Sequence, residues 1–149
     1  MSMGKRTETN YLIIHCSATR ANQNITVDDI KRWHTTERAF IDIGYHWVIE
    51  RDGSVKQGRP VDDWGAHTKG HNHESVGICL VGGLDNNNQP EDNFTPLQKR
   101  MLKLLIAGHQ ALYPDVEVRG HNHFSEHKAC PSFPVEVWLY QEGLQGVDL

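Results

Sequence analysis

A chain of 149 residues is long enough to form one domain with its own hydrophobic core, without disulfide support. Its charged fraction of 23% and apolar fraction of 38% exclude a disordered chain. No apolar run approaches the roughly 20 residues that a membrane span needs, and a net charge of −4 gives no general attraction to nucleic acid or anionic membranes.

The first residues, MSMGKRTETN, are basic but lack the apolar stretch of a secretory signal, so residues 1–9 are expected to be a flexible tail and residues 10–149 the domain. NYLIIHCSA (10–18) reads as a buried strand. TVDDIKRWHTTE (26–37) reads as a helix capped by Thr26, with Asp29 at its third position and Ile30, Trp33 and His34 on one face. YHWVIERDGSVKQG (45–58) is a hairpin, and Asp52-Gly53 predicts a type I′ turn. SVGICLVGG (75–83) reads as a central strand. It is followed by a long loop through NNN (86–88). TPLQKRMLKLLIAGHQALYP (95–114) is a helix with Thr95 and Gln98 forming a capping box, Pro96 in its first turn and Pro114 ending it. VEVRG (116–120) is a short strand, and PVEVWLYQEG (134–143) a closing helix. The order β-α-β-β-β-α-β-α predicts a single α/β domain, a mixed central sheet flanked by helices.

Ten histidines stand out, with His67, His71 and His73 in one stretch and His121, His123 and His127 in another. Three cysteines, Cys16, Cys79 and Cys130, are an odd number that argues against a disulfide framework. His15 and Cys16 are adjacent in a strand and point to opposite faces, so at most one belongs to any given site. His15 reads either as a ligand or as a satisfied core histidine. Cys79 and Cys16 read as core. Cys130 sits in the polar segment KACPSF, where burial gives no reason for cysteine, and Lys128 would favour its thiolate. One thiolate with two imidazoles is the ligand set of an open catalytic zinc site, and His121, just after VEVRG, is the natural second donor. A lone surface thiol is the plainer alternative. His15 and His121 lie too far apart in sequence for spacing to join them.

Taken in order, IIHCSAT, IGYHWVIERDGSV, GAHTKGHNHESVGICLVGG, FTPLQKRMLKLL and GHNHFSEHKACPSF resemble the type 2 N-acetylmuramoyl-L-alanine amidases, closest to short phage amidase-type lysozymes. The resemblance covers roughly residues 10–140, and the family also includes animal peptidoglycan-recognition proteins. It implies one Zn2+ held by His15, His121 and Cys130, with Tyr45 and Lys128 catalytic. The family usually has seven residues between the second histidine and the cysteine; here there are eight, 122–129, so one extra residue falls near Glu126-His127. His123 is the alternative ligand that this insertion raises.

The implied reaction is hydrolysis of the bond between the lactyl carbonyl of N-acetylmuramic acid and L-alanine of the peptidoglycan stem. Tyr45 is expected to donate a hydrogen bond rather than rest as a base, and Lys128 to stabilise charge and pass a proton to the leaving amine. His67, Thr68 and Asn72 are candidates for contacting glycan or peptide, with Trp64 as a stacking surface; His46 is expected to be structural. A non-catalytic peptidoglycan-binding module is the main rival, disfavoured because Cys130 and Tyr45 are both present. HNH at 71–73 and 121–123 lacks the ββα context of HNH nucleases, and H-E-x-x-H is absent. The resemblance also implies accumulation in the host cytoplasm, action on the periplasmic wall, and a possible second role in binding and inhibiting the phage RNA polymerase. A monomer is expected.

Overall fold

The computed structural model describes residues 4–144. In chain order the elements are β1 (Tyr11–Cys16), β2 (Thr19–Arg20), α1 (Val27–Thr36), β3 (Trp47–Ile49), β4 (Val55–Gln57), β5 (Ser75–Leu80), β6 (Gly83–Leu84), α2 (Pro96–Leu112), β7 (Glu117–Gly120) and α3 (Val135–Gln141), with single 3-10 turns at Asn72–Glu74 and His121–His123. The main sheet has the order β4-β3-β5-β1-β7. Its strands run parallel except for β4, which pairs antiparallel with β3 across the hairpin. The mixed sheet between helices expected from the sequence is therefore present.

β1 lies at the heart of the sheet, hydrogen-bonded to β5 on one side and β7 on the other. A parallel strand covered on both faces must be apolar along its whole length, which is why LIIHC carries no polar alternation. Leu12, Ile14 and Cys16 face a large core shared with Val76, Ile78 and Leu80 of β5, Leu102 and Ile106 of α2, and Val135 and Leu139 of α3. The opposite face is shallower: Ile30 of α1 packs there with Ile43, Val48, Cys79 and Val81. Both long helices carry complete capping boxes, Thr26 with Asp29 and Thr95 with Gln98. Gln98 is fully buried, and its amide also donates to the carbonyls of Ile49 and Val81, pinning α2 to the ends of β3 and β5.

Two sequence expectations are corrected, and one pair of strands is new. The β3–β4 hairpin does not close through a type I′ turn, because Gly53 has positive φ (87°) but Asp52 does not. Gly53 N–H donates to Glu50 O and Glu50 N–H to Ser54 O, so the loop is three residues long with the glycine in the left-handed position. The short parallel pair β2–β6 was not foreseen; two residues per strand, one of them a glycine, leave no periodic signal. Residues 4–6 are not a free tail. Trp64 N–H donates to Gly4 O, Arg6 N–H to Asp62 O, the Arg6 guanidinium to the carbonyls of Val61 and Asp63, and Lys5 pairs with the buried Asp63 carboxylate. A buried carboxylate and a loop of outward carbonyls need donors, and the basic segment supplies them. Residues 1–3 lie outside the described residues.

Candidate metal and catalytic centre

The sheet delivers the three candidate donors to one place. His15 is the penultimate residue of β1, paired with Cys79 of β5, and strand alternation puts it on the α1 face while Cys16 turns into the opposite core. His121 follows Gly120, where β7 ends and the chain turns. Cys130 closes a loop whose two ends are tied by Asn122 N–H donating to Cys130 O at 2.8 Å, and its sulfur accepts the Cys16 N–H at 3.1 Å. Ligand atoms of His15, His121 and Cys130 all lie within 4.8 Å of one another. Within this loop Lys128 N–H donates to Ser125 O in a turn that spans Glu126-His127. His123 is exposed, packs its ring against Phe124 and does not join the set.

Burial, helped by neighbouring His67 and His121, holds His15 well below the usual imidazole range, and burial followed by the Lys128 charge lowers His121. Both rings are therefore neutral at pH 7, the form that donates a lone pair to a metal. Lys128 is felt at these histidines rather than at Cys130, whose thiol is pushed up by its contact with Cys16 and by burial. The expectation that Lys128 secures the thiolate is thus not met by the protein alone; a bound cation is what favours a thiolate there. Two neutral imidazoles and a thiol, with no carboxylate among them, fit a soft tetrahedral metal such as zinc with one position left open.

Tyr45 precedes β3, its ring 5.1 Å from that of His15. Burial, and after it the nearby cysteines, raises its hydroxyl well above the usual phenol range, so it is a hydrogen-bond donor at neutral pH. Lys128 is exposed on the rim of the loop. Ser17, Ile30, Trp33, His34, Glu37, Arg38 and Tyr45 line a cavity of about 130 Å3 on this side. A larger hollow of about 650 Å3, lined by Phe94, Lys99, Arg100, Lys103 and Trp138, lies against α2 and the region of α3, away from the three donors.

The residues expected to touch substrate occupy different positions. His67 Nδ1 lies 2.8 Å from His15 Nε2, and the Thr68 hydroxyl lies 3.0 Å from His67 Nδ1 and 3.3 Å from His15 Nε2. Thr68 is 2% exposed, which leaves almost no surface for a ligand. Asn72 Oδ1 accepts the amides of His67 and Thr68 and so braces their loop. Trp64 is 45% exposed, its ring tilted over His73. His46 is structural, as expected: Nδ1 accepts from Gly77 N–H and Nε2 donates to Asp63 O. Cys79 is fully buried.

Two residues of the site escaped the sequence reading. Ser75, at the start of β5, reaches His67 Nε2 at 3.3 Å. Gly77 leaves room for the His67 ring, since a Cβ there would stand 2.6 Å from its carbons. A glycine inside SVGICL was the available signal, because a strand glycine often marks a close approach.

The fold and this donor set define a class, a small single-domain amide hydrolase of mixed α/β build. The chain belongs to the N-acetylmuramoyl-L-alanine amidase family, whose sequence pattern matches residues 5–133. It is 45% identical over 135 residues to an endolysin of Enterobacteria phage K11, covering 91% of this chain and 88% of that one. Among solved structures it is similar to the endolysin amidase LysCS of Clostridium intestinale (TM-score 0.82, 25% identity, 97% and 90% of the two chains) and to Drosophila PGRP-LB (TM-score 0.78, 26% identity, 99% and 89%). The chain is an N-acetylmuramoyl-L-alanine amidase that acts on peptidoglycan.

Proposed function

We propose that this amidase is a zinc enzyme of phage-type host lysis, cleaving the lactyl–L-alanine amide of peptidoglycan. The observation that carries the reading is the convergence of His15, His121 and Cys130 beside the protonated Tyr45. Zinc, when bound by these three residues, supplies Lewis acidity, which acidifies water and polarises a carbonyl. The protein's own groups do the rest. The Tyr45 hydroxyl donates to the oxygen on which negative charge develops. The Lys128 ammonium adds positive charge at the rim and delivers a proton to the departing L-alanine amine as the C–N bond breaks; the carbonyl carbon takes hydroxide from water, and the proton that water gives up replaces the one Lys128 has lost. Of the groups read as substrate contacts, Trp64 keeps an open apolar face for glycan or peptide; Asn72 braces the loop through its Oδ1, and His67 and Thr68 face His15.

Action on the wall from the host cytoplasm, after release, is part of this reading and rests on the similarity to phage endolysins. Inhibition of a phage RNA polymerase rests on resemblance alone. Lys5 and Arg6, the basic residues such a partner could use, are bonded to the 61–63 loop of the protein itself, so the contacts here do not favour it. A monomer is retained as the working state.

The test is digestion of Gram-negative sacculi by the purified protein, with and without a zinc chelator and beside Cys130→Ser. Chelator-sensitive release of L-alanine amino termini, without new reducing sugar ends and absent in Cys130→Ser, is the expected result. Undiminished release after complete metal removal would overturn zinc dependence.

A further inference from the structure

We propose that His67 and Ser75 are positioning residues that fix the tautomer of His15, so that Nδ1 of His15 is the nitrogen offered to the metal. The inference rests on the zinc reading above and adds which atom binds and what holds it.

A backbone carbonyl sets the direction of the hydrogen-bond chain. His71 O can only accept, so the Ser75 hydroxyl, 2.7 Å away, commits its single proton to it. Ser75 Oγ must then accept from its other neighbour, His67 Nε2, at 3.3 Å. A neutral imidazole carries one N–H, so protonation at Nε2 leaves His67 Nδ1 bare. That bare nitrogen stands 2.8 Å from His15 Nε2. Two lone pairs at that distance would repel, so His15 Nε2 carries the proton and donates it to His67. The Thr68 hydroxyl, 3.0 Å from His67 Nδ1 and 3.3 Å from His15 Nε2, fits the same direction by donating to the first and accepting from the second. The lone pair remaining on His15 is at Nδ1. One carbonyl thus dictates, through a hydroxyl and one ring, the ligand atom of another ring.

The chain is also held in place. Asn72 accepts the His67 amide, and Gly65 and Gly77 approach the His67 ring so closely that a Cβ on either would stand 2.6 Å from it. A metal-binding histidine whose other N–H is engaged is oriented before the metal arrives, and loss of such a partner typically lowers metal affinity by roughly 10–100-fold.

The experiment uses the full chain labelled with 15N and freed of metal. Two-bond 1H–15N correlations should show the Nε2–H tautomer at both His15 and His67 in the unsubstituted protein. In Ser75→Ala and, separately, His67→Gln, zinc affinity measured by competition with a chromophoric chelator should fall by roughly 10–100-fold. In Ser75→Ala the single tautomer at His15 should give way to a mixture, a signature that loss of packing alone would not produce. An Nδ1–H tautomer at His15 in the unsubstituted, metal-free protein overturns the proposal without any variant having to fold. So does unchanged zinc affinity in both variants. Failure of the unsubstituted protein to bind zinc at all strikes the zinc reading instead, and the tautomer result is read independently of it.

Discussion

GHNHES (70–75) and GHNHFS (120–125) differ at one position out of six, and both form a single 3-10 turn against the main sheet. Their central histidines nevertheless do different work. The first hexapeptide leads into β5, and His71 Nδ1 pairs with the Glu74 carboxylate at 2.8 Å. The second leaves β7, and its fourth position after glycine holds Phe124, whose ring packs on Tyr11 and His71. With no carboxylate three residues on, the His121 ring stays available and meets His15, ring centroids 4.5 Å apart, at the exit of the parallel strands. The carboxyl end of parallel strands is where α/β sheets commonly place their ligands. The lesson is that one local motif becomes a structural turn or a candidate metal donor according to which end of the sheet receives it and what stands at i+3.

The sharpest way to break this comparison is to truncate each histidine. His121→Ala should reduce release of L-alanine termini by more than the roughly 100-fold that loss of an outer partner can cost. His71→Ala should stay near the activity of the unsubstituted enzyme and lower unfolding free energy by no more than about 1 kcal/mol, the scale of one part-exposed side-chain hydrogen bond. Equal losses of activity in the two variants would erase the distinction.

Acid should reveal a second group of histidines, those whose neutral rings brace the fold through backbone contacts. His34 and His46 are held to about 4 by burial, and each accepts a backbone N–H at Nδ1, from Gly44 and Gly77. Their folded values lie below the unfolded value near 6.5, so below pH 6.5 the unfolded chain binds more protons than the native one. The stability that these two rings contribute should be fully present above pH 6.5, decline as pH falls toward 4, and level off below. The loss is on the order of 3 kcal/mol for each residue. A denaturation series of metal-free protein from pH 7 to 3.5 measures it, and a flat profile would remove the bracing role.

Gly77→Ala should force the new Cβ into the His67 ring and cost about 1–3 kcal/mol in thermal or urea unfolding, the usual range for overpacking. An unchanged midpoint would mean that the ring moves freely. The smallest effect tests the one position at which the hexapeptides differ. Phe124→Glu places beside His121 the carboxylate that His71 already has, and zinc affinity should fall by about tenfold, as when the surroundings of a metal ligand are altered. Tighter or equal binding in a chelator competition would show that the sheet end alone decides the role of His121.

Much of this molecule is legible in the residues. The two capping boxes, the apolar run of β1 and the glycine-bounded β5 are local signals, and each marks an element that forms. Cys130 in a polar loop raises a metal ligand as well as a lone surface thiol, and His121 after a short strand is its natural companion in the first reading. The turn at Asp52-Gly53 misled because the dipeptide also suits a three-residue loop, and loop length is settled by how β3 and β4 pair. The docking of residues 4–6 depends on a buried carboxylate 58 residues away.

What the sequence by itself determined is the chemistry on offer: which strands are buried, where the helices start, and that a thiol and imidazoles stand in loops without ordinary reasons to be there. Only the tertiary structure decided which imidazoles meet. Strand alternation sends His15 to one face and Cys16 to the other, but the parallel register of β1 with β5 and β7 is what carries His15 to His121. The same register sets Gly77 beside Ile13, one pleat from His15, where a missing side chain admits His67 behind His15. His67 and Thr68, read from sequence as facing substrate, thereby turn inward onto His15. Local propensity acts over a few neighbours, whereas a metal centre is built from contacts between segments more than a hundred residues apart, and only packing fixes those.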